Sequence, residues 1–229
     1  MCIRDRFSFP LEMIREALEA RSPRLLLICN PNNPTGTRLE PKRILELATA
    51  APTTLVVVDE LYEAFTGDSV LPCADFSATP NVLVLRSLAK TAGLAGLRIC
   101  FAIGHADVVD RVSRVTGPYD VNSMAVAAAF AALADQSYVD AYVAEVLRAR
   151  ALTLEGLKAA GLRHHCDGGN YLLIWPKRPP LEVEADLLAA GILVRSMAGK
   201  PLIDGSLRVS LGTSSQMQRF LEAFLAIDP

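Results

Sequence analysis

Apolar positions in the first half of the chain fall into short, nearly unbroken runs. Residues 25–29, 54–58, 82–85 and 97–103 each form one, and turn-forming residues bound them. Runs of this length and composition predict strands buried on both faces. Between them the apolar spacing is helical: Leu11, Ile14, Ala17 and Leu18 share one helix face, and Ile44, Leu45, Leu47 and Ala48 follow Pro41, which suits a first helical turn. A further helix is expected over residues 105–115. Apolar strands alternating with helices predict an α/β fold with a mostly parallel sheet. Ligands of such sheets bind beyond the carboxyl ends of the strands. The polar residues there are Asn33, Asp59, Ser87 and Lys90.

The pattern changes near Gly117-Pro118. An Ala-rich stretch, residues 125–134, predicts a closely packed helix. A long helix is expected over residues 138–160, with Tyr138, Tyr142, Val146 and Leu147 at helical spacing. The rest predicts a smaller α/β unit, with strands over residues 171–175, 192–195 and 207–211 and helices over 183–190 and 215–226.

With 229 residues, of which 51% are hydrophobic, the chain can bury a sizeable core and is not of disordered composition. Its net charge is −2 with both signs mixed, so nothing points to nucleic acid or an anionic membrane surface. No apolar run is long enough to cross a bilayer. The five cysteines are scattered and odd in number, without a C-x-x-C, a pattern that fits a reduced, cytoplasmic setting. His164-His165-Cys166 invites a metal reading. Neighbours on a strand point to opposite faces, so a loop or surface cluster is expected instead. No G-x-G-x-x-G follows a strand, which argues against a nicotinamide dehydrogenase.

Five local patterns carry chemistry. Asn33 sits in N-P-N-N-P-T-G, Asp59 and Tyr62 in V-V-V-D-E-L-Y, and Ser87 and Lys90 in R-S-L-A-K. Arg98 closes G-L-A-G-L-R, and Arg208 lies in L-R-V-S-L-G-T. Taken singly, Lys90 and the arginines are ordinary surface cations, Asp59 caps a turn, and the Pro/Asn run is only a turn. Taken together, in this order, they are not a coincidence.

In order and spacing the set resembles the fold-type I aminotransferases that use pyridoxal phosphate (PLP), in the histidinol-phosphate aminotransferase branch. The resemblance covers residues 7–227. It implies an α/β PLP-dependent transferase fold, with a partial large domain at residues 7–120, connecting helices at 121–150 and a small domain at 151–229. It assigns Lys90 to the bond with the cofactor aldehyde and to proton transfer, and Asp59 to the pyridine nitrogen. Asn33 and Tyr62 go to the ring oxygen, Ser87 and Arg98 to the phosphate, and Arg208 to the substrate carboxylate. Arg195 and Asn170 go to the substrate side. The implied reaction moves an amino group between histidinol phosphate or an amino acid and a 2-oxo acid, in a homodimer. A threonine-phosphate decarboxylase, or an inactive fragment, are the alternatives.

Two departures stand out. Ala89 precedes the lysine where relatives often have Ser; one hydrogen bond of that kind to a charged group is worth about 1.5–3 kcal/mol. The sequence is also expected to be truncated at its start: residues 1–6 read as a leader outside the family pattern. Nothing here corresponds to the family's N-terminal arm, glycine-containing phosphate turn or ring-stacking aromatic. A large-domain sheet lacking early strands would expose an edge and apolar surface.

Overall fold

The computed structural model describes residues 7–229; the expected leader lies outside them. The first half forms a four-stranded sheet in the order β1 (Leu25–Cys29), β2 (Leu55–Asp59), β3 (Val82–Ser87), β4 (Cys100–Gly104). The first three strands are parallel, and β4 runs antiparallel to β3. One face is covered by α1 (Leu11–Arg21) and α2 (Pro41–Ala50). Leu18 of α1 and Ile44, Leu47 and Ala48 of α2 pack with Ile28, Val56, Val58, Val82 and Val84. Burying a side chain such as Ile44 completely stabilises the fold by about 1.5–3 kcal/mol.

The opposite face is less well covered. Val57 and Leu83 are buried on it, but Leu25 and Leu27 of the edge strand β1 remain 56% and 63% exposed. The expected open edge and apolar surface are therefore present among the described residues. The fourth strand starts later than expected. Residues 95–97 form a short 3-10 turn and Arg98 is left-handed (φ 57°), which breaks the extended run before Cys100.

The chain continues through α3 (Ala106–Ser113), α4 (Ser123–Ala134) and α5 (Gln136–Ala159). The expected close packing of the Ala-rich helix is not found: only Ala125 and Ala129 of α4 are buried, and Met124, Phe130 and Leu133 are exposed. Apolar composition made the helix look like core, yet among the described residues too few neighbours reach it. Residue 150 lies inside α5, which is continuous there.

The second sheet is antiparallel, in the order β5 (Arg163–His165), β6 (Tyr171–Trp175), β8 (Leu207–Ser210), β7 (Arg195–Ser196). The polar β5 is a strand, not the expected loop cluster: His164 and His165 pair with Ile174 and Leu173. The expected strand at residues 192–195 shrinks to a two-residue pairing, because residues 192–194 do not join the ladder. α5, α6 (Pro180–Ala189) and α7 (Ser214–Ile227) close the core around Val146, Leu157, Leu172, Ile174, Val183, Leu187, Leu207 and Phe224. A capping box of Thr213 and Gln216 starts α7, and Glu145 of α5 accepts the Ser214 N–H at 2.7 Å. The hydrogen bonds from Ser214, with Arg148 beside them, hold the pKa of the Glu145 carboxyl down to about 2.

Tyr62 and Phe65, from the first half, belong to this second core. They join the two sheets at the carboxyl end of β2.

Candidate active site

The connection after β1, residues 30–37, is built to hold one shape. Asn30 is fully buried, and its side chain brackets the loop base: Nδ2 donates to the Leu39 carbonyl (3.0 Å) and Oδ1 accepts the Leu39 N–H (2.8 Å). Asn32, Thr35 and Thr37 form a buried chain of hydrogen bonds inside the loop. Asn33 is left pointing outward from this scaffold, half-buried.

The second sheet grips the same loop from the other side. Tyr171 Oη donates to the Asn32 carbonyl at 2.5 Å, and His165 Nε2 lies 2.8 Å from the Thr35 carbonyl with the Phe7 ring 4.3 Å away. Desolvation lowers the His165 pKa. Gly36 has φ 76°, and a Cβ there would meet the Gly168 backbone nitrogen at 2.5 Å. Only glycine permits this approach.

Asn33 is the centre of the cluster that results. Its Nδ2 donates to Tyr62 Oη at 2.9 Å, and its Oδ1 accepts from Arg208 Nη1 at 3.1 Å. Three segments far apart in sequence therefore meet at one amide. Tyr171 packs edge-on against Tyr62, with centroids 5.0 Å apart, and Lys90 Nζ stands 5.7 Å from the Tyr62 ring centroid. Burial raises the Tyr62 pKa, while the Arg208 charge and the Asn33 hydrogen bond partly offset it. Tyr171 is raised further, again mainly by burial. Both phenols are thus neutral hydrogen-bonding groups at physiological pH. Arg208 Nε is buried without a hydrogen-bond partner among the described residues. A buried guanidinium N–H left open is costly unless an acceptor completes it.

Asp59 and Ser87 end β2 and β3 on the same sheet. Asp59 Oδ1 accepts the Leu61 N–H at 3.1 Å. Ser87 Oγ donates to the Ile99 carbonyl (3.2 Å) and accepts the Ala89 N–H (3.1 Å). The remaining sequence candidates stand further out. Arg98 is exposed, and its Nη1 donates to the Ala95 carbonyl within its own turn. Arg195 is exposed on β7, directly opposite Arg208 in the register. Asn170 uses its backbone carbonyl to accept the Leu211 N–H, while the neighbouring Tyr171 makes the contact with the loop. Tyr171 stands beside Asn170 in the G-G-N-Y motif that the resemblance places at the site, whereas His165 drew attention in sequence only as part of a metal-like cluster. The G-G-N-Y pattern held the signal for Tyr171, an aromatic entering a strand behind two glycines.

Residues 3–224 match the family model for aminotransferase class I and II, and the chain belongs to that family. Its α/β architecture is that of the fold-type I PLP enzymes. Histidinol-phosphate aminotransferase 1 of Thiobacillus denitrificans is 39% identical over 224 residues, covering 95% of this chain and 56% of that protein. Histidinol-phosphate aminotransferase 2 of Pasteurella multocida is 38% identical over 204 residues, covering 87% of this chain and 55% of that protein. The crystal structure of histidinol-phosphate aminotransferase from Sinorhizobium meliloti in complex with pyridoxal-5'-phosphate superposes with a TM-score of 0.83 at 25% identity, covering 95% of this chain and 60% of that one. The chain thus spans little more than half the length of the curated relatives it matches.

Proposed function

We propose that the chain is the cofactor-binding and carboxylate-binding part of a PLP-dependent aminotransferase acting on histidinol phosphate and a 2-oxo acid. The observation that carries the reading is the meeting of Asn33, Tyr62 and Arg208 beside Lys90 at the carboxyl ends of the strands, with one buried Arg208 N–H still open.

These residues suit PLP by their chemistry. Lys90 supplies the amine for the aldehyde, Asp59 a carboxylate for the ring nitrogen, and Asn33 and Tyr62 a donor pair for the ring oxygen. Ser87 and Arg98 supply a hydroxyl and a cation for the phosphate. Bound there, the cofactor supplies an electron sink for the pair left on the substrate carbon when its proton is removed. Lys90 takes that proton and returns it, as general base and then acid. Arg208 holds the carboxylate of the amino-acid or 2-oxo-acid substrate with a planar fork that fixes its orientation. Arg195, across the ladder from Arg208, and Asn170 serve the substrate side.

A homodimer in the cytoplasm belongs to the same reading. The exposed apolar side chains of α4 support the first and the scattered cysteines the second.

The test is to titrate the chain with PLP, reduce with borohydride and locate the adduct by mass spectrometry. An adduct at Lys90 that disappears in Lys90→Ala is expected; scattered labelling of other lysines would refute the reading. In the whole protein, amino transfer without carbon dioxide release separates an aminotransferase from a decarboxylase.

A further inference from the structure

Beside Asp59 lies a buried carboxylate that the proposed chemistry does not use. Glu60 follows Asp59 at the end of β2, and its N–H continues the ladder to the Leu85 carbonyl. Adjacent residues of an extended chain point to opposite faces, so Glu60 turns away from Asp59. Its side chain is fully buried and accepts three hydrogen bonds: from Ser69 Oγ (2.9 Å), the Val70 N–H (2.6 Å) and Arg86 Nε (2.8 Å). Arg86, the residue before Ser87 on β3, spends its other nitrogens on Ser69 Oγ (2.8 Å) and on Glu63.

The connectivity gives this knot a specific task. Residues 60–70 leave β2, present Tyr62, turn, and return at Ser69 and Val70 to the Glu60 carboxylate. Glu60 thus closes the base of the loop that carries Tyr62, and Arg86 ties that base to the strand end carrying Ser87. An apolar contact could bury the same surface, but it has no direction. Charged hydrogen bonds that join residues 60–63, 69–70 and 86 define one geometry.

We propose that Glu60 and Arg86 are positioning residues: the pair sets where Asp59 and Tyr62 stand relative to Ser87 and Lys90. The inference rests on the cofactor reading above, because those four residues matter together only if they hold one ligand.

The experiment compares the full chain with Glu60→Gln, with Arg86→Lys and with the apolar pair Glu60→Leu/Arg86→Met. Three quantities are measured on each: the urea midpoint, the PLP dissociation constant, and the pH profile of the visible absorbance of cofactor bound at Lys90. Arg86→Lys keeps the charge pair but loses the fork, so it is expected to fold and to bind PLP about tenfold more weakly with a displaced pH profile. The apolar pair removes the buried Glu60 and Arg86 charges together, leaving Glu63 to reach solvent, and is expected to recover most of the urea midpoint without recovering affinity or profile. Wild-type affinity and profile in Arg86→Lys, or their recovery in the apolar pair together with stability, would show that the knot only holds the fold and would overturn the inference alone. A wild-type chain that takes up no cofactor at Lys90 would overturn the functional reading and this inference with it.

Discussion

Asn30→Ala is expected to be among the more damaging single substitutions in the loop, although the Asn30 side chain hydrogen-bonds none of the proposed ligand-binding residues. Its amide makes two hydrogen bonds with the backbone of Leu39, at 3.0 and 2.8 Å, and both residues are buried. Truncation leaves a buried carbonyl and a buried N–H unpaired, at about 1–3 kcal/mol each, or about 2–6 kcal/mol together if water does not enter. Asn30→Asp separates the two bonds. The introduced carboxylate still accepts the Leu39 N–H but faces the Leu39 carbonyl, where the amide had donated. Burial and that carbonyl raise its folded-state pKa above the unfolded value. The sign follows from linkage: the folded state then binds more protons, so stability relative to wild type is recovered below the unfolded pKa and lost as pH rises through the folded one. Urea denaturation across pH measures both, with the midpoint change read at constant slope. An Asn30→Ala midpoint equivalent to less than about 0.5 kcal/mol, or an Asn30→Asp deficit that deepens on acidification, would refute the reasoning.

Gly36→Ala is expected to destabilise by more than about 2 kcal/mol, because φ 76° and a 2.5 Å approach to the Gly168 backbone act together; it should also loosen the seam between the loop and the turn from β5 to β6, seen as faster amide exchange at Tyr171. A midpoint equal to wild type would show that the approach is not held in solution. Burial pushes the Cys166 thiol up to about 11, so at neutral pH it stays a thiol and its alkylation should trail that of exposed Cys73 and Cys100. The gap should narrow only as pH nears that value, and equal labelling at neutral pH would refute it.

The parts of the fold that the sequence made legible are those set by local pattern. The run at residues 25–29 is a strand because every side chain in it is apolar, and Pro41 does open α2. Failures came where a neighbour decides. α4 has the composition of core, yet its exposure depends on what lies beside it. β5 is three polar residues long, too short for periodicity, and becomes a strand because Leu173 and Ile174 offer it a ladder. Arg98 was legible as a cation, but its left-handed backbone, which delays β4, was not.

The site divides along the same line. Lys90, Asp59, Asn33 and Arg208 stand out in the sequence as candidates because PLP chemistry would call for their residue types. That Asn33 and Arg208 touch, 175 positions apart, is a property of the folded chain alone. Glu60 shows the limit most sharply. It stands next to Asp59 in the same motif, and in sequence the two carboxylates look equivalent. One turns toward the candidate site and the other into a pocket of three donors, and no local rule tells which, since Ser69, Val70 and Arg86 arrive from elsewhere. Removing the charged partner of a buried carboxylate costs about 3–5 kcal/mol. What sets the Glu60 carboxylate is therefore the set of donors that only the folded chain brings to it.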